Sequence, residues 1–230
     1  MPLEAILFDV DGTLVESEDA HLAAFNQAFA EAGLAWHWSE DDYRRLLTTS
    51  GGRERIARYM REQGIAGDSD RMAALHVRKN AIYAQFVADG AVAPRPGVVR
   101  LIGQARRRGV KLGIATTTSR VNLTALLDTV FAGRAADWFS TIVAGEDVAR
   151  KKPDPEVYRL ALAALAVDPA HCLAIEDSRA GLDAALAAGV ATLITPSKYT
   201  SGGRFQGAAL IVPDLAAPMD LGCLEALLSG

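Results

Sequence analysis

Six short apolar runs alternate with helical patterns along this chain, and that alternation limits the fold more than any other feature. Residues 3–8 carry Leu, Ile, Leu and Phe with little polar interruption. "VKLGIAT" (110–116), "TIVAG" (141–145), "CLAIE" (172–176), "ATLIT" (191–195) and "ALIVP" (209–213) follow the same pattern. Each is predicted to be a short buried strand. Between them, "VVRLIGQARRRG", "DPEVYRLALAALAV" and "SRAGLDAALAAGV" read as helices, the first and last stopped by glycine. Such alternation predicts an α/β fold: a parallel, Rossmann-like sheet covered by helices on both faces. The pattern breaks once. From 17 to 91 there is helical periodicity and no convincing strand, for instance in "EDAHLAAFNQAFAEAG" and "RMAALHVRKNAIYAQFVADG". A segment this long is no ordinary loop and is expected to be a small all-helical cap domain inserted after the first strand. Residues 1–16 and 92–230 then form the core. "DGAVAPRPG" punctuates the return to it. Trp36 and Trp38 are expected in the core of the cap.

The first run drives straight into paired acids, "ILFDVDGTL" (6–14). Carboxylates that close are costly unless a cation, a proton or a substrate lies between them. In open parallel sheets ligands bind beyond the carboxyl ends of the strands. "DVDGT", "TTTS" (116–119) and "EDS" (176–178) each follow a predicted strand, so all three are expected at one edge. Composition narrows the function. The net charge of −4 argues against a nucleic-acid binder. The run "RRRG" at Arg106–Gly109 suits a helix C-terminus. No apolar stretch approaches the roughly 20 residues a membrane span needs, and Asp9 and Asp11 interrupt any signal-peptide pattern. Two distant cysteines and four scattered histidines offer neither a disulfide framework nor a zinc site, which suggests a reduced compartment: cytoplasm, or the stroma-equivalent of a carbon-fixing cell. A calcium loop is disfavoured, because Gly12 is the fourth position counted from Asp9 as the first, where such loops place glycine sixth.

"DVDGTL", "TTTS", "KKPDP" (151–155) and "EDS", in this order, resemble the four motifs of the haloacid dehalogenase-like hydrolase superfamily. The resemblance spans the whole chain and implies roles. Asp9 would be the nucleophile that forms an aspartyl-phosphate. Asp11 would be the acid for the leaving oxygen and then the base for water. Lys152 would neutralise Asp9 and the phosphoryl group, which Thr116 would help to hold. Mg2+ would be bound by Asp9, Asp177 and the backbone carbonyl of Asp11, with Glu176 orienting a metal-bound water. Superfamily members that cleave carbon–halogen bonds lack the second aspartate, so Asp11 points to phosphate chemistry.

An all-helical insertion at this position resembles the group of CbbY-type sugar phosphatases, β-phosphoglucomutase and phosphoglycolate phosphatase. "LLTTSGGRERIARYM" (46–60) and "ATTTS" (115–119) look most like the first, which implies hydrolysis of xylulose 1,5-bisphosphate. Ser39 is expected to cap a helix running towards Thr49, broken at Gly51–Gly52, with Arg53 opening the next. Gly52, Arg53, Thr117, Thr118, Ser119 and Arg120 are then candidates for substrate binding, with Arg53, Thr118, Ser119 and Arg120 the candidates for a remote phosphate. A plain turn with a solvated Arg53 is the alternative. Ser17, Glu18 and His21 would face the sugar or relay cap closure, and Lys79 would meet the substrate or His21. A small phosphorylated sugar is the expected partner, and the chain a monomer or weak oligomer. β-Phosphoglucomutase remains the competing reading, although those mutases often carry valine where Thr13 stands here. A signalling receiver domain is about half this length and has no cap. A catalytically inert binding protein would not need all four motifs.

Overall fold

A computed structural model describes residues 2–216 and 219–228; Met1, Ala217, Pro218, Ser229 and Gly230, which the expected core boundaries include, lie outside the described residues. In chain order the elements are β1 (Ala5–Phe8), α1 (Glu18–Glu31), α2 (Glu40–Leu46), α3 (Gly52–Glu62), α4 (Ser69–Ala88), α5 (Val98–Arg107), β2 (Lys111–Ala115), α6 (Arg120–Val130), α7 (Ala135–Trp138), β3 (Thr141–Val143), α8 (Glu156–Leu165), β4 (Cys172–Glu176), α9 (Arg179–Ala187), β5 (Ala191–Ile194), β6 (Leu210–Ile211) and α10 (Leu221–Ala226). All six predicted strands form, most of them a residue or more shorter than the apolar runs. They make one parallel sheet in the order β3-β2-β1-β4-β5-β6.

Alternate residues of the strands enter two different cores. Ile6, Phe8, Leu112, Ile114, Leu173 and Ile175 pack with α5, α6 and α10. Ala5, Leu7, Ala115, Cys172 and Ala174 pack with α8 and α9. Burial on both faces is why the strands read as apolar runs without polar alternation. Register then sets the working edge. Phe8 lies level with Ile114 of β2 and Ile175 of β4. Asp9, Thr116 and Asp177 therefore leave the sheet side by side.

Helices α1–α4 follow β1 directly and gather around their own apolar cluster of Phe25, Phe29, Trp38, Tyr43, Leu46, Ile56, Met60 and Leu75. Trp38 is fully buried there and Trp36 packs at its margin. Truncating a residue such as Trp38 to alanine costs about 3–5 kcal/mol. Ser39 caps α2 in a reciprocal capping box with Asp42, but the helix stops at Leu46, short of Thr49. Gly51, at φ 95°, makes the turn, and α3 opens at Gly52, one residue before Arg53. The opposite face of α1 and α4 (Ala20, Ala24, Ala28, Ile82, Tyr83, Val87) merges with the larger core of the sheet. The two connections run side by side: Val15 bridges Pro94, and Arg95 N–H donates to Leu14 O at 2.9 Å.

Candidate active site

Lys152 organises the centre of the site. Its Nζ donates to Asp9 Oδ1 at 2.7 Å, to Ala115 O at 2.8 Å and to Glu176 Oε1 at 2.6 Å. These partners end β1, β2 and β4, so the lysine ties together three strand ends that the register has already aligned. Glu176 is fully buried and also accepts from Tyr158 OH of α8 at 2.7 Å. Gly181, in the first turn of α9, leaves room for that carboxylate; a Cβ there would collide with it.

Oxygens of Asp9, Glu176 and Asp177 lie within 4.8 Å of one another. Three buried carboxylates thus cluster beside one lysine, and the behaviour of Asp9 and Asp177 shows the imbalance. Burial raises Asp9 to about 7; Lys152 opposes the rise and Glu176 adds to it. Asp177 is pushed well above the usual carboxylate range, by burial first and then by Asp9 and Glu176. Burial would depress Lys152, but Asp9 and Glu176 outweigh it and hold the ammonium charged. All-oxygen donors with surplus negative charge fit a hard divalent cation. Gly12, at φ 78°, brings the backbone after β1 so close to Asp177 that a Cβ would collide with its carboxylate.

Asp11 faces away from this cluster. Its Oδ1 accepts from Ser17 Oγ at 2.5 Å and lies 3.1 Å from His21 Nε2, and its Oδ2 accepts from Thr118 Oγ1. Burial would raise this carboxyl, but His21, Ser17 and Thr118 outweigh burial and hold it below its ordinary value. Behind it, Lys79 Nζ lies 2.7 Å from His21 Nδ1. Burial, then Lys79, lowers His21 to about 4; burial, then Arg55, lowers Lys79 to about 7.

A cavity of about 650 Å³ opens between the sheet edge and helices α1–α4. Asp9, Asp11, Thr116, Lys152, Asp177, Glu18, His21, Gly52, Lys79, Thr117, Thr118 and Ser119 line it, as the sequence suggested. Ser17 stands behind Asp11 and Glu176 beneath Lys152, each acting through its neighbour. Three expectations need correction. Arg53 is exposed and donates to Ser69 Oγ at 3.0 Å, away from the cavity. Arg120 is exposed as well: its side chain pairs with Asp147 and its backbone N–H donates to Glu146. The Thr118 hydroxyl is taken by Asp11 and is not free for a remote phosphate.

Further cations also line the cavity, among them Arg44 and Arg55 from α2 and α3. Arg55 donates to Tyr43 OH at 3.1 Å and to Thr49 O at 3.1 Å, and Tyr43 OH donates to Glu18 Oε2 at 2.6 Å. Sequence reading missed this cluster because the phase of α3 depends on where the helix starts. Two positions apart on a helix, Arg53 and Arg55 point about 200° apart. The signal was present in "GGRER", where Ile56 and Met60 mark the buried face. Tyr158, Tyr199 and Thr200 were missed too; the last two reach the cavity from the loop after β5.

The chain matches the model of the haloacid dehalogenase-like hydrolases over residues 3–189. It is 49% identical to protein CbbY of Rhodobacter capsulatus over 94% of this chain and 96% of that one. A crystal structure of CbbY from Rhodobacter sphaeroides in complex with phosphate superposes with TM-score 0.93 at 44% identity, covering 97% of this chain and 99% of that one. A mutant of the same protein in complex with xylulose-(1,5)bisphosphate gives TM-score 0.92 at 44% identity over 96% and 98%. Fold, motif order and these likenesses agree: the chain belongs to the haloacid dehalogenase-like hydrolases, within their CbbY group.

Proposed function

We propose that this chain is a magnesium-dependent sugar-bisphosphate phosphatase that converts xylulose 1,5-bisphosphate to xylulose 5-phosphate. The observation that carries this reading is one cavity whose lining joins two charge clusters. Asp9, Asp11 and Lys152 form the first, and Arg44 and Arg55 beside Tyr43 and Glu18 belong to the second. A substrate with one phosphate to cleave and one to grip matches both, and the related CbbY structure contains such a sugar bisphosphate. Residues 17–91 act in this reading as a cap that brings Arg55 and Glu18 over the sheet edge and keeps bulk water from the reacting phosphate.

An Asp9 carboxylate oxygen attacks phosphorus, and the bond from phosphorus to the sugar oxygen breaks. Asp11, once a proton has reached it through His21, delivers that proton to the leaving oxygen and so releases the sugar alcohol. Asp11 then takes a proton from water, whose oxygen attacks the aspartyl-phosphate, freeing inorganic phosphate and Asp9. Lys152 holds Asp9 in place and offsets charge on the phosphoryl oxygens; positioning and charge stabilisation supply most of the catalysis in phosphoryl transfer. The Lys79–His21–Asp11 chain gives the acid a route for protons to and from the cap. Asp9, Asp177 and the backbone carbonyl of Asp11, with Glu176 behind them, would hold magnesium, which would supply further positive charge at the phosphate.

The test is phosphate release from xylulose 1,5-bisphosphate with magnesium and after chelation, beside β-glucose 1-phosphate with its bisphosphate activator. Release from the first that chelation abolishes is the expected result. Isomerisation of the second without net release would make the chain a mutase.

A further inference from the structure

The loop after β5 carries contacts that the catalytic scheme leaves unused. At its base Ser197 N–H donates to Thr200 Oγ1 at 2.8 Å, and Thr200 Oγ1 donates to Asp177 Oδ2 at 3.2 Å. At its tip Lys198 Nζ reaches Asp19 Oδ1 of α1 at 2.9 Å and Glu40 Oε1 of α2 at 3.0 Å. Tyr199 OH donates to the same Asp19 oxygen at 2.5 Å.

The Tyr199 ring belongs to the apolar cluster of α1–α4, although its backbone belongs to the sheet. It is 3% exposed and grouped with Leu22, Phe25 and Leu46. It stands edge-on to Tyr43, centroids 5.4 Å apart at 86°, with the Arg44 guanidinium 5.6 Å from its centroid. Tyr43 in turn holds Glu18 and Arg55. A continuous set of contacts thus leads from Asp177, through this loop, to Arg44 and Arg55 of the cavity lining.

We propose that Lys198 and Tyr199 are positioning residues that clasp the helical insertion to the sheet edge and so set Tyr43, Arg44 and Arg55 at the distance a two-phosphate substrate requires. This rests on the sugar-bisphosphate reading for its substrate, and on contacts alone for the clasp. Loss of the clasp weakens the grip on the remote phosphate and leaves the reacting end intact.

The experiment uses the full chain with Lys198→Ala, which removes an exposed side chain, and with Tyr199→Phe, which keeps the ring and loses its bond to Asp19. Hydrogen exchange across α2 reads the clasp without any substrate. Kinetics on xylulose 1,5-bisphosphate and on p-nitrophenyl phosphate read its consequence. For Lys198→Ala, α2 should exchange about fivefold faster while α8 and α9 stay unchanged, as expected for a local opening. KM for the bisphosphate should rise about threefold at constant kcat, with p-nitrophenyl phosphate turnover unchanged, a loss of ground-state grip alone. Tyr199→Phe should move α2 exchange and the bisphosphate KM in the same direction. Unchanged α2 exchange in both variants, or equal losses on both phosphates, would overturn the proposal. Faster α2 exchange in an enzyme with no preference for the bisphosphate would uphold the clasp and remove xylulose 1,5-bisphosphate as the substrate.

Discussion

Asp9 and Asp11 are two positions apart and meet opposite surroundings. Asp9 shares Lys152 with Glu176, whereas Asp11 is held by Ser17, His21 and Thr118. In the proposed mechanism a nucleophile beside a fixed cation and an acid beside a proton route are different tasks, and these neighbours suit the two aspartates to them. Asp9→Asn is expected to abolish turnover and aspartyl-phosphate formation, checked by acid-quench trapping of the labelled protein. Asp11→Asn should lose on the order of 10²–10⁴ in kcat, the usual worth of general acid–base catalysis. Arg55→Ala should raise KM for the bisphosphate roughly tenfold or more, since a charge-assisted contact is lost. Arg53→Ala should leave it unchanged, because Arg53 turns to Ser69. Steady-state kinetics on the two variants decide between them. Both aspartates were legible in the sequence, because their cost is local. The choice between two arginines was not, because it depends on a helix start that a glycine turn shifts by one residue.

Among the elements, the segment that returns the chain to the sheet depends on one side chain. The Arg95 guanidinium donates to the carbonyls of Gly12, Thr195, Pro196 and Pro213. It thereby joins the loop after β1, the second connection and the segments after β5 and β6. Removing it strands several carbonyls, so Arg95→Ala should cost on the order of 3 kcal/mol. Thermal denaturation with and without the substitution checks this. Nothing in "APRPG" marks Arg95 as different from a surface arginine, since its four partners come from three distant stretches. The strands themselves were readable: apolar runs with turn residues at each end became six strands, trimmed where the ladder runs out of partners. The edge strand β6 keeps two residues of its run, Leu210 and Ile211, because it has a neighbour on one side alone.

For the molecule as a whole, the cavity between insertion and sheet buries histidines that would rather be hydrated when charged. His76 of α4 is lowered to about 4, by burial first and then by Lys79 and Lys151. Its folded value lies below the unfolded one, so the unfolded chain binds the extra proton between them. The associated stability is complete above pH 6.5 and is lost as pH falls towards 4. The loss is on the order of 2–3 kcal/mol for His76, and His21 adds to it in the same direction. Relative to His76→Gln, a comparison that isolates this one group from the buried carboxyls that titrate nearby, the melting temperature of the chain should therefore fall across this interval. Fold class, the helical insertion and the order of the motifs follow from the sequence by itself. Strand burial, helical period and paired acids are properties of neighbours along the chain, and they point one way whatever surrounds them. The tertiary structure alone decides which cations face the cavity, that Tyr158 braces Glu176, and that Tyr199 crosses from the sheet into the core of the insertion. Those contacts join residues tens to hundreds of positions apart, and whether a polar side chain ends in water or in a site depends on what the other segments bring to it.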